Sequence, residues 1–331
     1  MKTNDSYIDL HCHLDGSINV EIAKKLAELQ NIKLPAETDE ELKKYIEAPA
    51  ECESLADFLK CFDLPLSLMQ TEKGLEESAY LVAENMYSLG VVYAEIRFAP
   101  QLHTKKEMSQ KDAVNAVLAG IRRSRLKANL ILCCMRDNEN TKENLETLEL
   151  TKQYLVEDGG VVAMDLAGAE ELYPLKDFAW LFIKAREYNI PYTIHAGEAD
   201  GAESVRYAVE LGARRIGHGV RIREDEEVLK LVRDKGIFLE MCPTSNLKTH
   251  AVLDMSGYPL IDYLNYGIKA TINTDDMAII GTTMSKEFES MEKLIGLTQE
   301  YKKQIEENSI NAAFTSDKVK EELRKQLLAN Q

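Results

Sequence analysis

The sequence predicts an α/β chain folded as a closed (β/α)8 barrel of the TIM type, with a helical insertion after the first strand. Three observations lead there. Eight short apolar, β-branched runs recur along the 331 residues, and each is followed by a stretch of helical periodicity. Strand then helix, repeated, is the signature of a parallel sheet with covered faces. Polar, chemistry-bearing residues also fall at the ends of several different runs, as they do where a barrel gathers its site at one rim. A doubly wound sheet is the rival, but it would collect a site at a single strand-order reversal.

The runs, in order, are Tyr7–Leu14, Val91–Ala99, Asn129–Met135, Val161–Leu166, Pro191–His195, Arg215–Val220, Ile237–Cys242 and Ile268–Thr274. Amphipathic stretches lie between them, including Lys111–Lys127, Lys176–Tyr188, Ala202–Gly212 and Glu224–Lys235. No linker or repeat interrupts them, so residues 1–331 read as one domain. The first connection, Gly16 to Gly90, is the long one. Within it, Ser54–Gln70 carries Leu55, Phe58, Leu59, Phe62, Leu66 and Met69 at helical spacing. Such a stripe packs into a core or, after a barrel strand, covers the site as a lid. The last stretch, Ser316–Gln331, reads as a charged surface helix.

Hydrophobic residues make up 45% of the chain, enough for a sizeable core, and the net charge is −16. That charge repels phosphate backbones and anionic lipid, so nucleic acid and membrane are poor partners. No apolar run reaches spanning length. The polar start, Met1 to Ser6, passes straight into a strand and leaves no room for a signal peptide. The six cysteines have no framework spacing and read as reduced, buried thiols of a cytoplasmic protein, with Cys12, Cys133, Cys134 and Cys242 in packing roles.

The chemistry begins in the first strand. Alternation puts Asp9, His11 and His13 on one face and Ile8, Leu10, Cys12 and Leu14 on the other. Two imidazoles on an inward face can grip one ion. His195 ends the fifth strand, and Glu198 follows it behind a glycine. His218, flanked by Gly217 and Gly219, ends the sixth strand. Asp275 and Asp276 follow the eighth, where one carboxylate can bind metal while its neighbour, pointing the other way, meets substrate. Each signal alone has a bland reading as core histidine or surface turn. Together they place four of six histidines at strand ends on the rim where barrel sites form. Three imidazoles and a carboxylate suit one Zn2+ and leave a position for water, whose pKa a metal can lower toward ~7. The fourth strand has no lysine to bridge a second metal, and the H-x-E with P-C-x-x-C design of the cytidine deaminase type is absent.

The stretches HCHLDGS (11–17), YAEIRFAPQLH (93–103), DLAG (165–168), HAGE (195–198), GHG (217–219), CPTSN (242–246) and NTDD (273–276) occur in an order that resembles the adenosine deaminase family of the amidohydrolase superfamily. The resemblance covers nearly the whole chain and implies the barrel fold and hydrolytic deamination of adenosine, a small purine nucleoside. It implies that His11, His13, His195 and Asp275 bind Zn2+. His218 would help deprotonate or orient the attacking water, and Glu198 would protonate purine N1. Asp276 would orient the attacking oxygen and bond the imidazole edge of the purine. The Gly168 N–H would donate to N3, Asp15 would accept a ribose hydroxyl, and His13 would also border the substrate. Leu55, Phe58, Leu59 and Phe62 match the family's apolar gate.

Met277 departs from the proline common in animal members. Glu95 and Arg97, two apart on one strand face, read as an inward ion pair, and His103 and His250 as surface or loop residues. Deaminases of free adenine tend to read FFDPQ and DSSE where this chain has RFAPQ and DLAG, which favours the nucleoside. AMP deaminases carry long N-terminal extensions absent here. A modified adenosine, or another amide-like substrate of a metal-dependent hydrolase, remains an alternative. A non-catalytic nucleoside-binding protein would need neither the metal ligands nor Glu198.

Overall fold

The computed structural model describes residues 6–49 and 60–328. Eight strands alternate with helices: β1 (Tyr7–His13), β2 (Val91–Phe98), β3 (Lys127–Met135), β4 (Val161–Ala167), β5 (Thr193–Ala196), β6 (Arg215–His218), β7 (Phe238–Met241) and β8 (Lys269–Ile272). Each falls within a residue or two of its predicted run. All pairings are parallel, in two four-stranded arcs, β1 to β4 and β5 to β8. The arcs join through Met164 with Tyr192 and through Cys12 with Asp275, which closes the barrel. At the second seam His11 accepts from the Asp275 N–H at 2.7 Å and His13 donates to the Asp275 carbonyl at 2.9 Å. The seam thus sets two histidines and an aspartate side by side.

The outer wall obeys helix chemistry. Ser109 and Asp112 form a reciprocal cap at the start of Gln110–Arg123, whose apolar face is buried. It packs closely on the helix Glu72–Ser88, an approach possible because residue 120 is glycine: a Cβ there would meet the Glu76 carbonyl.

Two expectations about strand faces are corrected. Between Asp9, paired with Ala94, and Cys12, paired with Ile96, β1 has one residue more than β2. This bulge resets the alternation. Ile8 and Leu10 therefore pack with Tyr93 and Phe238, while Asp9 leaves the histidine face and accepts from Thr274 Oγ1 at 2.6 Å. Glu95 and Arg97 do not pair with each other. Side chains two apart on a strand are separated by about 6.6 Å, and each reaches across the barrel instead. Arg97 donates to Asp165 at 2.7 Å and to Glu240 at 2.8 Å, and Glu95 pairs with Arg215.

The final helix, Asp317–Leu328, is not simply a surface element. Most of its charged residues face solvent, but Leu323 and Leu327 are buried against the Ile8, Leu10 and Tyr93 cluster and close the lower end of the barrel. His103 is also corrected: it is fully buried, with Nδ1 3.1 Å from the Met69 carbonyl. His250 is exposed, as expected, and borders the upper cavity. Of the predicted lid, Leu55, Phe58 and Leu59 lie outside the described residues. Phe62 packs beside Ile279 and Ile280 and, with Leu66, lines the cavity, whereas Met69 belongs to the main core. The described cysteines, 12, 61, 133, 134 and 242, are all buried, and no disulfide joins them.

Candidate active site

A cavity of about 490 Å3 opens at the C-terminal rim of the strands, a size suited to a small molecule. At its floor the donor atoms of His11, His13, His195 and Asp275 lie within 4.8 Å of one another. His13 Nε2 is 3.3 Å from His195 Nε2, and Asp275 Oδ1 is 3.2 Å from His11 Nε2 and 3.4 Å from His13 Nε2. Buried polar atoms normally find partners. Here His11 Nε2 has no hydrogen-bond partner, yet it points at the same spot as three other lone-pair donors. Three imidazole nitrogens and one carboxylate oxygen around one point fit a divalent ion of the zinc type.

The outer partners orient these rings. His11 Nδ1 lies 2.8 Å from Glu240 Oε2 and His195 Nδ1 lies 2.9 Å from Asp165 Oδ2. At His11 the Glu240 carboxylate accepts from Nδ1, which keeps the proton there and leaves Nε2 free for an ion. Arg97 holds both carboxylates at once. Burial works to raise the Asp165 and Glu240 pKa values, but the arginine and histidine charges overturn it and hold both well below the ordinary carboxylate range. The same contest leaves Asp275 ionised, with its histidine neighbours outweighing burial.

Backbone strain marks the site. His218 and Asp275 both adopt left-handed conformations, at φ 63° and 61°, which residues with a Cβ rarely do. Gly217 is needed for a packing reason: a Cβ there would stand 3.0 Å from His11 Cε1. The GHG stretch is thus the gap into which the metal-facing imidazoles fit.

Around the floor stand the remaining predicted residues. Asp15, Gly168, Glu198, His218 and Asp276 all line the cavity. Gly168 has φ 104°, open to glycine alone at little cost. Glu198 Oε2 lies 3.5 Å from His218 Nε2, and its Oε1 accepts from Thr249 Oγ1 at 2.9 Å. Burial, joined by the Asp275 charge, pushes the Glu198 carboxyl up despite His218. Burial likewise pushes Asp15 up to about 6. Asp276 is raised well above the usual range by burial and then by Asp275, and its Oδ1 has no partner among the described residues.

Several functional neighbours were not singled out from sequence. Glu240 and Asp165 are lone acids in otherwise apolar strands, a signal that a buried partner is required. Glu170 is buried and accepts the N–H groups of Gly197, Glu198, Ala199 and Asp200 and the Ser204 hydroxyl, so it shapes the loop that carries Glu198. No local pattern announces that role. Ser245 lines the cavity with a buried hydroxyl that lacks a partner among the described residues.

The sequence profile of the adenosine deaminase family matches residues 7–330. An adenosine deaminase from Haemophilus ducreyi is 48% identical over 96% of this chain and 94% of its own length. Among solved structures, an adenine deaminase from Arthrobacter aurescens superposes with a TM-score of 0.87 at 28% identity, covering 98% of both chains. The N6-methyl-AMP deaminase of Arabidopsis thaliana gives 0.84 at 26% identity, covering 98% of this chain and 97% of its own. With the profile spanning the barrel from β1 to the last helix and a relative of this similarity, the chain belongs to the adenosine deaminase family.

Proposed function

We propose that the chain catalyses hydrolytic deamination of adenosine, and of 2′-deoxyadenosine, to inosine and ammonia, with one Zn2+ held by His11, His13, His195 and Asp275. The observation that carries this reading is the convergence of those four donors beneath a cavity that also presents Glu198, His218 and Asp276. The ion, when bound, supplies an activated water at neutral pH.

The chain's own residues do the rest. Attack of a water oxygen at C6 pushes electron density onto N1, which must gain a proton. Glu198 keeps one to give because burial raises its carboxyl, and Thr249 fixes the side chain's direction. His218 and Asp276 border the position of the attacking oxygen and hold or orient it. Asp276 Oδ1 is an acceptor with no competing donor among the described residues. Collapse of the tetrahedral carbon breaks the C6–N6 bond, and the amino group leaves with a proton as ammonia. The Gly168 N–H and Asp15 hold N3 and a ribose hydroxyl, and Phe62 with Leu66 covers the base.

Substrate class follows from charge. Seven carboxylate residues line the cavity, Asp15, Asp63, Glu170, Glu171, Glu198, Asp275 and Asp276, against one lysine among the described residues. That Lys248 already donates to the Pro49 carbonyl at 2.9 Å. A 5′-phosphate would find no lysine or arginine beyond Lys248 among the described lining residues to hold it, whereas ribose hydroxyls suit carboxyl acceptors. No described helix is long and apolar enough to cross a membrane. We place the chain's work in the cytoplasm, where the buried thiols of Cys12, Cys133, Cys134 and Cys242 would stay reduced. Incubation with adenosine in 18O-labelled water tests the reaction type. One labelled oxygen at C6 of inosine should accompany each ammonia released. Absence of ammonia, or unlabelled product, would reject it.

A further inference from the structure

The proposed reaction uses the HCHLDGS, DLAG, HAGE, GHG and NTDD stretches but leaves CPTSN without a role. Asn246 closes that stretch, in the short helix Pro243–Lys248 after β7, and is fully buried. Its backbone is fixed, the N–H by the Cys242 carbonyl at 2.9 Å and the carbonyl by the Val252 N–H at 3.0 Å. Its side chain reaches the site: Nδ2 lies 3.1 Å from His218 Nδ1. On the other side the Tyr258 hydroxyl donates to Asn246 Oδ1 at 2.8 Å, and Tyr258 is itself buried.

An amide can rotate by 180° and exchange its donor and acceptor ends, so the surrounding network has to select the orientation. In the rotated form Oδ1 would accept a proton on His218 Nδ1. His218 Nε2 would then turn a bare lone pair toward the ionised Asp275, whose Oδ2 is 3.9 Å away. Tyr258 would also lose the one acceptor its hydroxyl has among the described residues. In the observed form each donor meets an acceptor. Tyr258 O–H serves Oδ1, Nδ2–H serves the Nδ1 lone pair, and Nε2–H faces the Asp275 carboxylate.

We infer that Asn246, oriented by Tyr258, is a positioning residue that fixes His218 as the Nε2–H tautomer. The ring then presents its Nε2–H as a hydrogen-bond donor to the attacking oxygen. Its lone pair faces away from the cavity and is occupied. Of the two tasks open to His218, this leaves orientation. The functional consequence rests on the deamination reading; the tautomer does not.

The test uses metal-loaded protein with 15N-labelled histidine. Long-range 1H–15N correlation should give His218 a protonated Nε2 and an unprotonated Nδ1. Asn246→Asp sets an acceptor against Nδ1 and should invert that pattern. It should lower kcat by roughly 10- to 100-fold, with KM within about twofold and metal content unchanged. Tyr258→Phe frees the amide to rotate and should produce a smaller loss of the same kind. If the Asp variant fails to fold, the wild-type spectrum and Tyr258→Phe decide. A protonated Nδ1 in the wild type would overturn the inference, as would an inverted ring that leaves kcat untouched. A wild type that ignores adenosine but shows protonated Nε2 would reject the substrate reading alone and support the tautomer.

Discussion

Replacing Glu240 with glutamine removes a charge at the centre of the buried network beneath the metal centre. Glu240 Oε1 accepts from Thr193 Oγ1 at 2.8 Å and Arg215 Nε at 2.5 Å; Oε2 accepts from His11 Nδ1 and Arg97 Nη2, each at 2.8 Å. The side chains of Glu240, His11, Arg97 and Arg215 are fully buried. A glutamine offers one acceptor oxygen and one NH2, so one pair of these donors must face a donor. Arg97 keeps Asp165 and Arg215 keeps Glu95, which softens the loss without cancelling it. Removing one partner of a buried pair typically costs about 3–5 kcal/mol. If the amide nitrogen faces His11, the ring proton is driven to Nε2 and the metal lone pair disappears, a change that commonly weakens metal affinity ~10- to 100-fold. Denaturant unfolding of metal-free protein reads the first effect, and metal titration against a competing chelator reads the second. A Glu240→Gln protein with wild-type stability and wild-type metal affinity would refute the claim that this carboxylate both balances the arginines and sets the His11 tautomer.

Two further outcomes follow from neighbouring carboxyls. Glu198→Gln keeps the shape but not the transferable proton, so kcat should fall roughly 10²-fold or more while metal content stays unchanged, since Glu198 is not among the four converging donors; near-normal turnover, or metal lost with activity, would contradict the acid role. Glu287, bonded to Thr282 Oγ1 and the Thr244 N–H, is raised by burial from near 4.5 to about 7. The folded state therefore holds its proton across that window while the unfolded chain has released it. Stability falls as pH rises from 4.5 to 7 and levels off above, a loss of roughly 3 kcal/mol at about 1.4 kcal/mol per pH unit. Glu287→Gln should remove most of that slope in pH-dependent denaturant unfolding, and an unchanged slope would show that the group does not titrate this way.

The rim of the barrel was legible because its residues are chemically conspicuous. His11, His13, His195, His218, Asp275 and Asp276 stand out against apolar strands, and period-two alternation with strand order says where they point. That logic failed at Asp9, where the one-residue bulge shifts the face, because a bulge depends on pairing with β2 and leaves no mark in β1 alone. It failed again for Glu95 and Arg97, whose partners lie across the barrel rather than along the strand. Asp165 and Glu240 could have been suspected as lone buried charges. Their assignment to His195 and His11 needs the closed geometry. Glu170 reaches four backbone N–H groups from a separate loop, a contact that no spacing encodes.

The central claim is that this acidic cavity deaminates a nucleoside. The most direct measurement is kcat/KM of one metal-loaded preparation on adenosine, 2′-deoxyadenosine, adenine and AMP, followed by ultraviolet absorbance. The account predicts that adenosine and its deoxy form are turned over, that adenine lags for want of the ribose contact to Asp15, and that AMP is disfavoured by a wide margin. Turnover of AMP or adenine with kcat/KM equal to or above that of adenosine would contradict it.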